Sequence, residues 1–294
     1  LERIVVGIQG LGISETAYQN ALSYAKERKQ GKANNSQNKD TDLIIKHADI
    51  RRSLMNMKSL IEGQRSLAFW VSQQIDVSLN HTDPKIKETA NDLVSMMTPI
   101  IKSFFTDIGV EITNDAIQVF GGYGYTKDQG IEQLFRDNRI TPIYEGTNSI
   151  QAIDLVYRKI LNNKIFDNYI KQITEETNEY GKNKNLTLFV QKFQKYLELL
   201  NNFTSWLIQK NKSSKDDVSA ACNDYLKVLG YIGLAHSWLK ILKISYEKIN
   251  TNKVFFEDKI NTATYYFDKI LPRVQSHYLS AVTGSDTMMK ANFN

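Results

Sequence analysis

The chain has 294 residues, of which 41% are hydrophobic, so it is long enough to bury one or two cores of ordinary size. Its single cysteine, Cys222, excludes internal disulfides and multi-cysteine zinc sites, favours a reducing compartment, and is interpreted as a small buried hydrophobe. The formal net charge of +5 suits an anionic partner, but the lysines are scattered among acids, which disfavours a nucleic-acid surface.

Neither a membrane segment nor a metal site is indicated. No stretch approaches the roughly 18 uninterrupted apolar residues that a membrane helix needs, and the N-terminus lacks the basic-then-apolar order of a secretion signal. We therefore expect a cytoplasmic protein with no membrane span. The histidines show no paired ligand spacing, so we assign none of them to a metal: His47, His81, His236 and His277.

The residue pattern predicts an all-α protein. Only four prolines occur, and apolar residues recur every three or four positions along most of the chain. The first helix is predicted from Ile4 to Lys29, and Gly31 marks its end. The polar tract 32–42 has too little apolar surface to pack, so we expect a mobile loop there.

Two further long helices follow in the chain. Asp49 is the predicted N-cap of the second helix, which runs to about Asn80. Asp83 and Pro84 open the third helix, because aspartate is favoured before a first turn and proline is tolerated within it. Pro99 is expected to kink or break this helix.

The remaining segments divide the chain into two helical domains. A segment over 111–120 and a helix over 149–161 complete a first half whose four long helices predict an up-and-down bundle over residues 1–162. The polar sequence Asn162-Asn163-Lys164 interrupts the helical spacing of apolar residues, so we place a domain boundary there. Residues 163–294 form a predicted second helical domain, because apolar faces at helical spacing recur.

Two glycine-containing motifs carry the strongest functional signal. Residues 118–125 read QVFGGYGY, and residues 143–147 read IYEGT. Glycine has no Cβ, so the glycines of the first motif let a flat or phosphorylated group approach the main chain. The second motif sets the carboxylate of Glu145 beside Gly146. Together the motifs indicate a base held against a cofactor.

The text around both motifs resembles the acyl-CoA dehydrogenases, flavoenzymes that oxidise the Cα–Cβ bond of an acyl-CoA thioester. The resemblance covers about residues 1–161 and is carried by Arg3, ALSYAKERKQG at 21–31, HADIR at 47–51 and DNRITPIYEGT at 137–147. It implies the helical C-terminal third of the family's catalytic core, followed by the appended helical domain of a longer subgroup related to methylmercaptopropionyl-CoA dehydrogenase. Because the family's N-terminal and middle β-domains do not precede Leu1, we expect a fragment.

The resemblance implies a role for the second motif. Glu145 matches the family's base, which removes the α-proton of the acyl-CoA substrate while the N5 atom of FAD accepts the hydride from the β-carbon. Its apolar neighbours are expected to form a dry wall that makes the carboxylate a stronger base: Ile140, Ile143 and Tyr144. The implied substrate-binding residues are Arg3, Tyr144 and Gly146.

The implied FAD contacts fall into two sets. One set reaches the FAD of a neighbouring subunit, which implies a homo-oligomer, either a dimer or a tetramer: Arg28, Gln118, Gly121 and Gly122. The other set contacts the FAD on the same subunit as the base: Thr147 and Ser149. Two departures from the family text affect the adenine and pyrophosphate contacts, namely Gln30-Gly31 where a phenylalanine is expected and Ala48 in place of a glutamine.

Three functions remain open on the sequence. The leading one is an FAD-dependent acyl-CoA dehydrogenase, with an electron-transferring flavoprotein as one candidate re-oxidant. The second is a helical oligomerisation module that supplies half of a flavin site, and because the β-domain is absent we expect this chain alone to be colourless and inactive. The third is a relative repurposed for nucleic-acid binding, which the lack of a dense basic patch in 162–294 disfavours.

Overall fold

Three long helices form the first half of the fold in this computed structural model, which describes residues 1–34, 36–37, 39–161 and 165–293. They are α1 (Glu2–Glu27), α2 (Ala48–Asn80) and α3 (Pro84–Phe120). Helix α3 packs against both of the others and buries more residues than either. The all-α prediction is confirmed, since the described residues contain no strand and only one isolated bridge, between Lys29 and Leu43.

The two ends of α3 follow from its sequence. The Asp83 carboxylate accepts a hydrogen bond from the Lys85 amide at 2.8 Å, and Pro84 has no amide hydrogen to leave unsatisfied in that turn. The helix stops at Gly121, whose φ of +62° favours glycine. By length and hydropathy alone α3 would pass for a membrane span, but 72% of its most apolar window is buried, as in a central core helix.

Two local predictions differ from the structure. Of the two outcomes expected at Pro99, a kink or a break, the break does not occur, and α3 is one helix of 37 residues. Pro99 is itself buried, and buried neighbours on both sides hold the helix together across the hydrogen bond that proline cannot make. At the start of α2, the N-cap is His47 and not Asp49, because the His47 carbonyl already accepts from the Arg51 amide at 3.0 Å.

Short helices lead from α3 into the second half. They are α4 (Gly122–Tyr125), α5 (Ile131–Asn138) and α6 (Asn148–Asp154), and α6 continues into a π turn over Leu155–Ile160. The second half contains α7 (Ile165–Tyr180), α8 (Thr187–Lys210), α9 (Lys215–Lys248), α10 (Lys253–Tyr265), α11 (Arg273–Ala281) and α12 (Asp286–Met289). The predicted domain boundary at residues 162–164 lies outside the described residues.

Helix α9 joins the two halves in one core. It packs against α2, α3 and α6 of the first half as well as against α8, α10 and α11. The Trp238 indole donates to the Ser59 carbonyl at 3.1 Å, and the rings of Tyr231 and Phe104 meet edge-on with 4.8 Å between centroids. The first half thus contributes three long helices to this core, and α9 contributes the fourth.

The polar tract after α1 is anchored beside the start of α2. Asp42 is fully buried, and its carboxylate accepts from Lys46 Nζ at 2.9 Å and from the Ala33 amide at 3.1 Å. The Gln30 amide donates to the Asp42 carbonyl at 2.9 Å. These bonds hold the chain that follows α1 close to the C-terminal end of α3, where the first glycine motif lies.

Candidate functional site

A cavity of about 480 Å³ opens where the end of α1 meets the end of α3. It is lined by all four residues predicted to reach the FAD of a neighbouring subunit: Arg28, Gln118, Gly121 and Gly122. Tyr24 of α1 and Phe120 of α3 also line it, with their rings stacked 4.2 Å apart. The packing of two helix ends therefore brings this predicted set together.

The three glycines of the first motif serve different purposes. A Cβ at Gly121 or Gly122 would meet no atom within 4 Å, so both positions leave open space beside the cavity. Gly121 also needs glycine for its φ of +62°. Gly124 differs, because a Cβ there would lie 2.7 Å from the Ile117 carbonyl oxygen. Its role is internal packing, and only the first two glycines leave room for a ligand.

Arg28 supplies a cation to the cavity. It follows the last residue of α1, and its guanidinium carbon lies 5.4 Å from the centroid of the Tyr123 ring, in a cation–π arrangement. The cavity thus combines a held guanidinium, an aromatic pair and open main chain. These features suit a ligand that carries both phosphate and a flat ring.

The second motif forms the loop between α5 and α6. Glu145 has a φ of +55° and Gly146 a φ of +89°, and Glu145 is the one non-glycine residue with positive φ in the described part of the chain. The Asn148 amide donates to the Pro142 carbonyl at 3.0 Å, and the Gln151 side chain donates to the Glu145 carbonyl at 3.2 Å. Glutamate rarely adopts this conformation, so these bonds hold it in place.

The loop presents Glu145 to solvent in this chain. The Glu145 side chain is exposed, and Ile140 and Ile143 are 53% and 45% exposed, so the predicted dry wall is wrong for the chain by itself. Tyr144 is half-buried, and its hydroxyl donates to the Gln9 side chain on α1. The wall fails because no described element of this chain covers that side of the loop.

The remaining predicted residues lie with Glu145 and away from the cavity. Thr147 is exposed directly before α6, and the exposed Ser149 accepts a hydrogen bond from the Asn223 side chain of α9 at 3.4 Å. Arg3 is exposed in the first turn of α1. At about 1.5 Å per residue, the stretch of α3 from Lys102, which contacts the loop, to Gly121 measures about 28 Å. The two implied FAD sets are therefore separate in one chain.

A buried lysine that the sequence reading missed lies beneath the loop. Lys102 of α3 is fully buried, and its Nζ donates to Asn148 Oδ1 at 2.9 Å. Burial lowers the pKa of Lys102 to about 8, the charges of Asp107 and Glu145 oppose this shift, and that of Arg3 adds to it. The sequence signal that could have revealed this buried lysine is its position inside the apolar run IIKSFF.

The histidines have ordinary protein partners. His236 lies 3.0 Å from Glu176, His277 lies 2.8 Å from Asp224, and His47 lies 2.8 Å from the Gln30 carbonyl. Across the residues that the structure describes, no three His, Cys, Asp or Glu side chains form a group that could hold a metal ion. Cys222 is 1% exposed, as predicted for a small buried hydrophobe.

Sequence comparison identifies two domains of known families. The profile of the acyl-CoA dehydrogenase C-terminal domain matches residues 1–161, and that of the acetyl-CoA dehydrogenase C-terminal like domain matches residues 169–292. The 3-methylmercaptopropionyl-CoA dehydrogenase of Ruegeria pomeroyi is 41% identical over 159 residues, covering 54% of this chain and 27% of that protein. A butyryl-CoA dehydrogenase of Syntrophomonas wolfei is 27% identical over 287 residues, covering 93% of this chain and 46% of that protein.

Solved structures share the fold over nearly the whole chain. Caenorhabditis elegans ACDH-11 in complex with C11-CoA gives a TM-score of 0.73 at 17% identity, covering 99% of this chain and 47% of that one. An acyl-CoA dehydrogenase complexed with FAD from Bacillus anthracis gives 0.73 at 16% identity, covering 98% and 50%. The chain spans less than half the length of the curated relatives described above. Since the first profile covers more than half of the chain, this protein belongs to the acyl-CoA dehydrogenase family.

Proposed function

We propose that this chain is the C-terminal part of an FAD-dependent acyl-CoA dehydrogenase in which Glu145 removes the α-proton of an acyl-CoA thioester. The observation that carries the proposal is the backbone of Glu145, whose φ of +55° is held by the hydrogen bonds of its loop. Among the described residues the exposed Glu145 carboxylate makes no hydrogen bond or ion pair, so the strained backbone does not serve to give this side chain a partner within the chain. Strain of this kind concentrates at functional sites.

The loop offers the groups that proton abstraction needs. A carboxylate must reach the α-carbon, and hydrogen-bond donors must polarise the thioester carbonyl. The main-chain amide of Glu145 donates to no backbone carbonyl of the described residues, so it is available to that oxygen. We propose that Arg3, Tyr144 and Gly146 line the substrate channel, and that bound acyl-CoA and further domains cover Ile140 and exclude water.

The cavity at the end of α3 fits part of FAD. Its open main chain at Gly121 and Gly122 and its guanidinium at Arg28 suit a pyrophosphate, and the Tyr24–Phe120 pair suits a flat ring. We propose that this set contacts the FAD of a neighbouring subunit and that residues 147 and 149 contact the FAD beside Glu145, which requires a homo-oligomer. When bound, FAD supplies the hydride acceptor at its N5 atom.

The two alternative functions, a helical half-site module and nucleic-acid binding, differ in their support. The exposure of Glu145 favours the interpretation that this chain alone is a helical half-site module without turnover, and that interpretation is compatible with the dehydrogenase proposal for a longer polypeptide. Nucleic-acid binding gains no support, because lysines of the second half pair with acids in the protein, as Lys210 does with Asp217 at 2.8 Å and Lys240 with Glu176 at 3.1 Å.

The test is Glu145→Gln in the complete, FAD-loaded protein, with Glu198→Gln as the control because Glu198 is an exposed glutamate of α8. Glutamine keeps the shape but cannot accept the α-proton, so we expect acyl-CoA-dependent reduction of an electron-accepting dye to fall by at least about 10²- to 10⁴-fold. The flavin absorbance should be unchanged in both variants. Normal turnover in the Glu145 variant would reject the assignment.

A further inference from the structure

Asn148 ties the Glu145 loop to α3. It is the first residue of α6, follows the IYEGT motif directly, and is only 9% exposed. Its Oδ1 accepts from Lys102 Nζ at 2.9 Å. Its Nδ2 faces three acceptors on α3: the Ser103 carbonyl at 3.1 Å, Thr106 Oγ1 at 3.0 Å and Asp107 Oδ1 at 2.6 Å.

The two ends of this amide meet partners of opposite character. A buried ammonium faces the oxygen, and a carbonyl and a carboxylate face the nitrogen, so only one orientation of the amide satisfies every group. An aspartate at 148 would set an oxygen against Asp107, and an alanine would leave the buried Lys102 without its acceptor. Asparagine is therefore specified at this position by the charges of α3.

Asn148 also fixes the loop, because its main chain is hydrogen-bonded within the loop while its side chain is bonded to α3. Its amide donates to the Pro142 carbonyl, which closes the loop around Glu145. Anchoring the Asn148 side chain to α3 thus sets where the loop returns to the helix. The charged groups that face Lys102 come from three elements: Arg3 of α1, Asp107 of α3 and Glu145 of the loop.

The second half of the chain reaches this network. Asp107 lines a second cavity of about 360 Å³ together with Lys227 of α9 and Arg273 of α11. Burial raises the pKa of Asp107, while its hydrogen bond with Asn148 and the charge of Lys227 oppose that shift. Arg273 is already paired with Glu111 at 2.8 Å, so Lys227 is the cation of the second half that faces Asp107 across this cavity, without a direct ion pair between them.

We propose that Lys102, Asp107 and Asn148 are positioning residues that hold Glu145 in its strained conformation, and that Lys227 supports them from the second half. They act through Glu145 and not on the substrate, so the catalytic part of this inference rests on the proposed function. The network also assigns the second half a task, because a helix outside the first domain steadies the loop that carries the base.

The first test is hydrogen exchange measured by mass spectrometry on this chain, without cofactor. In Asn148→Ala and Lys102→Met we expect the amides of 143–152 to exchange several-fold faster while the peptides of α8 keep wild-type rates. Lys227→Met should show the same change to a smaller degree. Lys212→Met is the control, because Lys212 is an exposed lysine of the second half. Wild-type exchange over 143–152 in all three variants would overturn the proposal.

The second test is steady-state kinetics in the complete, FAD-loaded protein. A displaced base costs turnover more than binding, so Lys102→Met and Asn148→Ala should lower kcat roughly 100-fold and leave KM within about twofold. Asp107→Asn should lower kcat much less, because asparagine keeps an oxygen that can accept a hydrogen bond from Asn148 Nδ2. A purely structural role would lower the yield of folded protein and leave the kcat of the folded fraction unchanged.

The outcomes separate the two proposals. Wild-type kcat in Lys102→Met, together with an inactive Glu145→Gln, would reject the positioning role and keep the proposed function. An active Glu145→Gln would reject the proposed function, and the exchange data would still decide whether the network holds the loop. If Lys102→Met does not fold, Asn148→Ala and Lys227→Met carry the test, because Lys227 is only half-buried and lines a cavity, and wild-type exchange over 143–152 in both would overturn the proposal.

Discussion

At Gly121 the main chain turns from α3 into α4 with φ of +62° and ψ of −142°, a combination that side chains disfavour. Its neighbour Gly122 has no such requirement, since it begins α4 with ordinary helical geometry and a Cβ there would meet nothing within 4 Å. The requirement for glycine at 121 is therefore conformational. At 122 the fold does not need glycine, and the position leaves space beside the cavity.

This contrast predicts different outcomes for two alanine variants. Gly121→Ala should lower the free energy of unfolding by about 1–3 kcal/mol, because alanine is strained at this φ and ψ. Gly122→Ala should leave it almost unchanged. Urea unfolding followed by circular dichroism measures both values. Equal stability of the two variants would contradict the conformational explanation.

At the scale of elements, the start of α9 is tied to two other parts of the second half. Ser214 caps the helix by accepting from the Asp217 amide at 3.2 Å. The Asp217 carboxylate accepts from Lys210 at the end of α8 at 2.8 Å, and from the amide and the hydroxyl of Ser285, before α12, at 2.8 Å and 2.7 Å. One carboxylate thus links three helices, and it lies at the helix end that favours negative charge.

A pH-dependent stability follows from Asp217. Its hydrogen bonds to Lys210 and Ser285 hold the pKa of Asp217 well below its usual value in the folded protein. The folded-state pKa of Asp217 is lower than the unfolded one. The ionised carboxylate therefore contributes fully to the free energy of unfolding above the unfolded pKa of about 3.9, and this contribution is lost as the pH falls through the folded pKa. Asp217→Asn should therefore be less stable than wild type at pH 7, with a smaller difference at pH 2.

Urea unfolding at both pH values measures this difference. Asp216→Asn is the matched control, because Asp216 is an exposed aspartate in the same first turn and shares only the helix-end effect. It should lose far less stability than Asp217→Asn at pH 7. If the loss of unfolding free energy in Asp217→Asn were the same at pH 7 and pH 2, the charge of Asp217 would not contribute to the stability of the protein.

At the scale of the whole molecule, the two matched domains share one core. A Cβ at Gly230 of α9 would lie 2.4 Å from the Phe104 ring of α3, and a Cβ at Gly63 of α2 would lie 2.9 Å from the Trp238 indole nitrogen of α9. Glycine on either side lets the helices cross closely. Helix α9 is therefore packed closely against α2 and α3, and it also places Lys227 in the cavity that Asp107 lines and Asn223 against Ser149.

The close crossing predicts a large effect for one methyl group. Gly230→Ala should destabilise the chain by about 1–3 kcal/mol, because the Phe104 ring must move in a packed core. Gly12→Ala is the matched control, since Gly12 lies within α1 with nothing within 4 Å of its Cβ position. It should gain about 0.5–1 kcal/mol from the better helix propensity of alanine. Thermal unfolding of both variants measures the contrast, and a neutral Gly230→Ala would contradict the shared core.

Several features of the fold could be predicted because they depend on neighbours in sequence. The end of α2 near Asn80, the Asp83–Pro84 start of α3 and its stop at Gly121 follow from capping and backbone preferences that act within one turn. Local preferences left open whether Pro99 breaks this helix, and packing on both sides, which outweighs the local cost of proline, decides that it does not. The helix predicted over 149–161 is in fact α6 followed by a π turn, and the sequence did not indicate this change.

The local sequence was thus enough to predict the helical class, and the family resemblance that it carries implied the grouping of Arg28 with Gln118, Gly121 and Gly122. The exposure of Ile140, the buried Lys102 beneath Asn148 and the place of α9 beside the first three helices depended on how distant segments pack. Capping and glycine preferences are short-range energies that residue types alone specify. Burial and side-chain partners are set by contacts between helices remote in sequence, and no single segment contains that information.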